Sequence, residues 1–405
     1  MKKFFDTTYL ERVKLKLLLL YVFFLPLSDW SPIKLNSIIL IVTGIIWLYQ
    51  CFKEPVEKNY YPSAEFLIPT GIFFIQFLSF FHGGTSSYIE FNLTVKLPFL
   101  ILPLVFTKNL FSHLVIKKMQ DLFIAGCIIG CLVSFRFIFI SECRDADWLN
   151  CTHYEEYLVL HRPYFGMYLL IAILFLTEKL KQGFQIFPML LIIGFLLFLF
   201  LIQAKMSLLI LLPLMLVEGW FAVNRLVKRF TLFFSIALFI LVSAVLSMFY
   251  FSNKHQADSL SVQSRFFVLS VNTRLIHFDC GKGIVEQNPW FGAGAGNVSR
   301  LLDDCYQTQS AYMSQFKGRF NAHNELLEET ARHGILGLSV YLICYFFFFK
   351  RAIQARDKIY LQILLIAVLA SLTESVFSRS QGVMLISFFL FLYFVKNSKR
   401  PLQVV

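Results

Sequence analysis

Apolar runs long enough to cross a membrane recur along this chain, and they constrain its fold more than any other feature. A membrane-spanning helix needs about 20 mostly apolar residues, and such runs fill most of the sequence outside residues 252–333. Hydrophobic residues make up 57% of the 405 residues and charged residues only 15%, whereas a soluble protein of this size needs a more charged surface. Because lipid offers the backbone no hydrogen-bond partners, each run is expected to be helical. The sequence therefore predicts an all-α integral membrane protein.

The pattern predicts about twelve transmembrane helices, with a large helical loop between spans 9 and 10. Residues 1–251 would hold spans 1–9, residues 252–333 the loop, and residues 334–405 spans 10–12 with a short tail. The net charge of +12 comes from short Lys and Arg clusters in alternate loops, which is the pattern of cytoplasmic loops. Both termini are therefore expected in the cytoplasm and the large loop in the periplasm. This distribution argues against nucleic acid as a partner.

The cysteines provide a second indication of sidedness. Cys143 and Cys151 lie in one predicted periplasmic loop, and Cys280 and Cys305 lie in the other. An even number of cysteines in an oxidising compartment favours disulfides. Pairing within each loop needs no contact between loops, so we favour it over the other two pairings, with free thiols as the alternative.

The large loop and the start of span 10 concentrate the residues that are suited to chemistry. Arg274 comes first, then the segment Asn288-Pro289-Trp290-Phe291-Gly292-Ala293-Gly294-Ala295-Gly296, then His323-Asn324. Pro289, Gly292, Gly294 and Gly296 predict a tight turn with close backbone approach. They do not form a dinucleotide fingerprint, because no strand–helix context surrounds them.

In order and spacing, these residues resemble the O-antigen ligase/polymerase family of bacterial envelope enzymes. In that family an arginine precedes a Pro-hydrophobic-Gly-x-Gly-x-Gly segment, and a His-Asn pair opens the helix that re-enters the membrane. A basic residue, commonly arginine, is usual at the periplasmic end of a middle span, where this chain has Lys205. Lysine keeps the charge but lacks the bidentate fork that suits phosphate. The resemblance implies a GT-C-like architecture in the bacterial inner membrane, with the active site facing the periplasm and no metal or other cofactor.

The resemblance also implies site residues, and the physical roles agree with it. Arg274 and Lys205 would hold a diphosphate leaving group, on which negative charge accumulates in the transition state. His323 would take a proton from the acceptor hydroxyl, since imidazole titrates near neutral pH. Asn324 lies beside it at a helix start that is itself suited to a phosphate oxygen. For each of these residues a purely structural role is the alternative.

Charged residues inside or at the edge of spans are costly and indicate further contributors. Arg162 and Arg379 are expected to add to the basic site, and Glu374 is expected to neutralise an arginine. In the span predicted at 91–107, Lys96 is expected to snorkel to the surface. Asn321 is the expected N-cap of the re-entering helix, with glutamates in its first turns favoured by the helix dipole.

The resemblance implies an O-antigen ligase that transfers a glycan from undecaprenyl diphosphate to a sugar hydroxyl of lipid A-core. Direct displacement on the donor would invert the anomeric configuration. Two alternatives use the same donor: an O-antigen or exopolysaccharide polymerase with a glycan acceptor, and a protein O-oligosaccharyltransferase. A transporter of lipid-linked sugars is a different class, and the long motif-bearing loop argues against it. The expected partners are the lipid-linked donor, the lipid A-core or glycan acceptor, and membrane lipids.

Overall fold

A computed structural model describes residues 7–29, 34–53, 64–82, 86–106, 111–140, 158–183, 185–221, 262–309 and 321–397. Within these ranges the chain is helical and contains no strand. The first helices are α1 (Thr7–Phe24), α2 (Leu35–Lys53), α3 (Ala64–Leu67), α4 (Gly71–Phe74), α5 (Ser86–Lys96), α6 (Pro98–Phe106) and α7 (His113–Ile140). They are followed by α8 (Arg162–Gln182), α9 (Ile186–Leu201), α10 (Lys205–Phe221), α11 (Val262–Gln287), α12 (Ala295–Gln309), α13 (Glu325–Gln354), α14 (Lys358–Ser371) and α15 (Ser380–Lys396).

Two helices form the centre of the bundle. Every residue from Tyr164 to Leu176 in α8 and from Gln381 to Phe394 in α15 is buried. A helix that is apolar on all sides belongs inside a large bundle, and this pair is contacted by α5, α6, α7, α9, α10, α13 and α14. At 21 residues, α8 is about 31 Å long by the usual helical rise, close to the thickness of a bilayer core.

Four of the described helices are long and apolar enough to span a membrane, at Leu35–Lys53, His113–Arg136, Arg162–Gln182 and Glu325–Gln354. Shorter apolar helices cover Glu65–Phe81, Ile186–Leu201, Lys358–Ser371 and Ser380–Lys396. This architecture fits a helical membrane protein. The total of twelve spans and the GT-C-like arrangement stay predictions, and the ninth span, expected at 230–251, lies outside the described residues.

The span expected at 91–107 is not continuous. Helix α5 ends at Lys96 and α6 begins at Pro98, because proline lacks the N–H that a continuing helix needs and is tolerated in a first turn. The expectation that Lys96 snorkels is wrong. Its side chain is fully buried and pairs with the equally buried Glu329 of α13, a partner 233 residues away in sequence.

Helix α13 is broken where it would enter the membrane. Gly334 has φ 64° and ψ −159° inside an otherwise helical run, so the backbone groups on either side of the break lose their helical partners. The glycine-rich turn replaces them. The N–H groups of Ala293 and Gly294 donate to the carbonyls of Ala331 and Arg332, at 2.8 and 3.0 Å, and Ile335 donates to the Pro289 carbonyl at 2.8 Å.

The bundle has two chemically different ends. We call the end that carries Glu374 and the start of α13 the site end. There, the Tyr164 hydroxyl at the start of α8 donates to the Ser375 carbonyl beyond the end of α14, at 3.2 Å. At the opposite end, Lys358 at the start of α14 contacts Glu178 near the end of α8, and it lies 3.1 Å from Glu218 near the end of α10. Helices α8 and α14 are therefore antiparallel.

Candidate functional site

The centre of the candidate site is an arginine, a carboxylate and a histidine from three separate segments. Arg274 of α11 donates to Glu374 Oε1 at 3.1 Å and to the Thr373 carbonyl at 2.5 Å. Nδ1 of His323 lies 3.1 Å from the other oxygen, Glu374 Oε2. Only 7% of the Glu374 side chain is exposed, against 24% for His323 and 40% for Arg274. The carboxylate is thus the buried hub, and the arginine and histidine remain accessible.

Glu374 stays ionised because its partners outweigh its burial. Burial alone would raise the pKa of this carboxyl, but the hydrogen bond and charge of His323, followed by the charges of Arg274 and His161, bring it below its ordinary value. A carboxylate facing Nδ1 favours the tautomer with the proton on that nitrogen. Nε2 of His323 is then left with the lone pair that a general base needs.

A short turn presents His323. Its backbone has φ 46°, a left-handed conformation that is uncommon outside glycine. The His323 N–H donates to Oδ1 of Asn321 at 3.0 Å. The prediction that Asn321 is the N-cap is wrong. The cap is Asn324, which is directly before the first helical residue, has an extended backbone and accepts from the Leu327 N–H at 3.0 Å.

Asn324 also joins the two segments of the site. Its Nδ2 donates to the Leu372 carbonyl at 3.1 Å, so the amide connects the start of α13 to the turn that carries Glu374. The geometry gives Asn324 a positioning role, and its predicted contact with the donor stays a prediction.

Basic residues at the starts of α8, α10 and α15 lie at the same end of the bundle. Lys205, the first residue of α10, is within electrostatic reach of both Arg162 and Arg274. Arg162 begins α8 directly after His161. Arg379 precedes α15 and is within electrostatic reach of Asp29 and Tyr164. The fold therefore brings Arg274, His323, Lys205 and Arg162 together from positions spread over more than 150 residues, and Arg379 lies at the same end of the bundle.

The glycine-rich turn contributes structure to the site. Besides the bonds to the α13 break, the Gly292 N–H donates to the Asn288 carbonyl at 3.1 Å. Gly292 has φ 73°, and a Cβ there would lie 2.4 Å from the Arg332 carbonyl carbon. A Cβ on Gly334 would lie 2.2 Å from the Trp290 carbonyl group. The two glycines permit two backbones to meet, and these N–H groups are occupied rather than directed at a ligand.

Buried charges lie beneath this junction. Glu329 contacts Lys96 and lies 3.0 Å from Nδ1 of His333, whose Nε2 is 3.1 Å from the Ser79 hydroxyl.

The other two glutamates at the start of α13 also have buried partners. Arg332 donates to Glu328 at 2.5 Å. Glu328 and Glu325 accept from the Ala322 and Phe377 N–H groups, each at 2.7 Å. The glutamates expected to serve the helix dipole thus fix α13 to its neighbours, and a buried charge is stable only with such partners.

A disulfide joins α11 to α12. Cys280 and Cys305, the pair expected within the larger loop, are bonded with a Cα–Cα distance of 5.9 Å. Cys143 and Cys151 lie outside the described residues. Among the described residues, no group of three or more His, Cys, Asp or Glu side chains is arranged to hold a metal ion.

His277 is a site residue that no sequence motif indicated. Its ring lies 4.5 Å from the His323 ring, centroid to centroid, and only 3% of the residue is exposed. The available signal was its spacing: His277 follows Arg274 by three residues on one helix, which places both on the same face.

Comparison with known proteins shows a similarity to one protein family. A family model described as O-antigen ligase matches residues 165–342, a little under half of the chain. The matched segment contains Lys205, Arg274, the glycine-rich turn and His323, whereas Arg162, Glu374 and Arg379 fall outside it. No curated protein matches the chain. Over this segment the chain is therefore similar to the O-antigen ligase family, whose members are membrane glycosyltransferase-like enzymes, both ligases and polymerases.

Proposed function

We propose that this protein is an O-antigen ligase that transfers a glycan from undecaprenyl diphosphate to a sugar hydroxyl of lipid A-core at the periplasmic face of the inner membrane. The observation that carries the proposal is the convergence of Arg274, Glu374 and His323, with Lys205 and Arg162 nearby. This group supplies a base with an accessible edge and cations for a diphosphate within one site.

The reaction is a direct displacement at the anomeric carbon. The acceptor hydroxyl oxygen forms a bond to that carbon while its proton passes to Nε2 of His323. The bond between the anomeric carbon and the diphosphate oxygen breaks, and its electron pair leaves with undecaprenyl diphosphate. Attack opposite the leaving group inverts the configuration, so an α-linked donor gives a β-linkage.

Each side chain has a distinct task in this scheme. Glu374 holds the proton on Nδ1 of His323 and stabilises the imidazolium that forms, because it remains a carboxylate. Arg274 reaches the leaving group while Glu374 and the Thr373 carbonyl fix its guanidinium. Lys205, Arg162 and Arg379 add positive charge where the diphosphate becomes more negative.

The profile of envelope glycolipids in a deletion strain tests the function and separates the alternatives. A ligase predicts long polymer that remains on the lipid carrier while lipid A-core stays bare. Core that carries a single repeat unit would instead assign a polymerase. Unglycosylated periplasmic proteins with unchanged glycolipids would assign a protein O-oligosaccharyltransferase. No change in any glycan would refute the proposal.

A further inference from the structure

The imidazole of His277 forms part of the surroundings of His323, although it has no step in the reaction proposed above. The two rings are 4.5 Å apart with their planes tilted by 39°. The ring of Tyr306 meets His277 edge-on, at 4.8 Å and 84°. Such centroid distances and angles are typical of favourable ring contacts. One side of His323 is therefore covered by a buried ring that is itself held by a tyrosine.

The same elements also fix the backbone of His323. Tyr306 follows Cys305, whose disulfide to Cys280 joins α12 to α11, and Cys280 is three residues after His277. The Tyr306 hydroxyl donates to the Asn321 carbonyl at 3.1 Å, and the Asn321 side chain accepts from the His323 N–H at 3.0 Å. The ring and the backbone of His323 are thus both held by residues connected to α11 and α12, the two helices that the disulfide joins.

His277 is surrounded by groups that keep it uncharged. Burial first, then the charges of His323 and Arg274, lower the pKa of His277 to about 3, and Glu374 opposes this only in part. Tyr306 faces it from α12. At neutral pH it is therefore a neutral ring.

We propose that His277 is a positioning residue for His323: it provides an uncharged aromatic surface that fixes the plane of the His323 ring while Glu374 fixes Nδ1. The hydrogen bond to Glu374 and the contact with the His277 ring come from different directions, so together they fix the orientation of the His323 imidazole. Nε2 then points toward the acceptor in one defined direction. This inference rests on the proposed function for its consequence in catalysis. The ring geometry itself can be tested without any turnover.

The test compares His277→Phe, which keeps a flat ring, with His277→Ala, which removes it. Misplacement by about 1 Å can cost about 100-fold in rate, so His277→Ala is expected to lower kcat by about 10- to 100-fold with little change in the KM for the donor. His277→Phe is expected to keep wild-type kcat and the wild-type pH profile, because the native ring does not titrate in the neutral range. Phe278→Ala is the matched control, since Phe278 is on the same helix and half exposed.

A second readout is the rate at which diethyl pyrocarbonate modifies His323, followed by mass spectrometry. The exposed His113, at the opposite end of the bundle, serves as the internal reference. Modification of His323 is expected to be faster in His277→Ala and unchanged in His277→Phe and Phe278→Ala. Because this rate does not depend on turnover, it separates a failure of the positioning role from a failure of the proposed function.

Two results would overturn the inference. If His277→Phe loses as much activity as His277→Ala, the imidazole nitrogens are needed and the ring surface alone is not sufficient. If His277→Ala keeps both wild-type kcat and the wild-type modification rate at His323, the stacked ring does not position it. Should the alanine variant fail to fold, the phenylalanine variant still decides between a ring surface and a proton-carrying imidazole.

Discussion

The two ends of the bundle both collect charged residues, but they use them differently. At the opposite end, Lys181 and Lys358 are matched by Glu178 and Glu218 in one network of ion pairs. At the site end, Lys205 is within electrostatic reach of Arg162 and of Arg274, and Arg274 pairs with Glu374. Matched charges fasten helix ends together. Cations gathered around a carboxylate are suited to an anionic ligand, and we propose that this end of the bundle holds the reaction site.

The largest effect is expected from His323→Ala. General acid–base catalysis contributes about 100- to 10,000-fold, so turnover should fall by a factor in that range while donor binding persists. Transfer kinetics together with a binding assay for the lipid-linked donor measure both quantities. Asp279→Ala, a change of an exposed residue on α11, is the control. Full turnover in the His323 variant would remove it as the base.

Arg274→Ala is expected to lower kcat by about 100-fold, as the loss of one donor to a developing charge typically does. Arg274→Lys should recover only part of this loss, because lysine cannot hold Glu374 and the Thr373 carbonyl in the same planar geometry. Steady-state kinetics of the three proteins provide the comparison. If the lysine variant equals wild type, the arginine contributes charge alone.

Lys205 should have a smaller effect, since it adds charge from the start of α10, within electrostatic reach of Arg274. We expect about a tenfold loss in kcat/KM for Lys205→Ala, near the lower limit for a removed charge contact, and wild-type or higher activity for Lys205→Arg. Equal activity of wild type and Lys205→Ala would exclude this lysine from the site.

The smallest effect is expected at the opposite end. Lys181 is 44% exposed on its side chain, and exposed ion pairs typically contribute about 0–1 kcal/mol. Lys181→Ala should therefore leave transfer unchanged and lower thermal stability only slightly. A loss of activity comparable to that of Lys205→Ala would mean that the two ends are not functionally distinct.

The sequence predicted the residues that the fold brings together, but not all of their contacts. Arg274, His323 and Lys205 could be identified from the motifs that resemble the O-antigen ligase/polymerase family, and Arg162 because a charged residue at the edge of a predicted span is costly. The pairing of Lys96 with Glu329 could not, since it depends on how two distant helices pack. The glycine-rich turn was expected to approach another backbone closely, but only the break at Gly334 shows which one. In the sequence His277 cannot be distinguished from an ordinary helical residue, because only the fold brings Tyr306 of α12 and His323, just before α13, into contact with it.

The most direct test of the central claim is glycosyl transfer by purified protein in lipid bilayers, supplied with undecaprenyl-diphosphate-linked glycan and lipid A-core. Wild-type protein is expected to join the glycan to core through an inverted linkage, whereas His323→Ala is expected to bind the donor without consuming it. Wild-type protein that binds the donor, or moves it across the bilayer, without joining it to any acceptor would contradict the proposed ligase function.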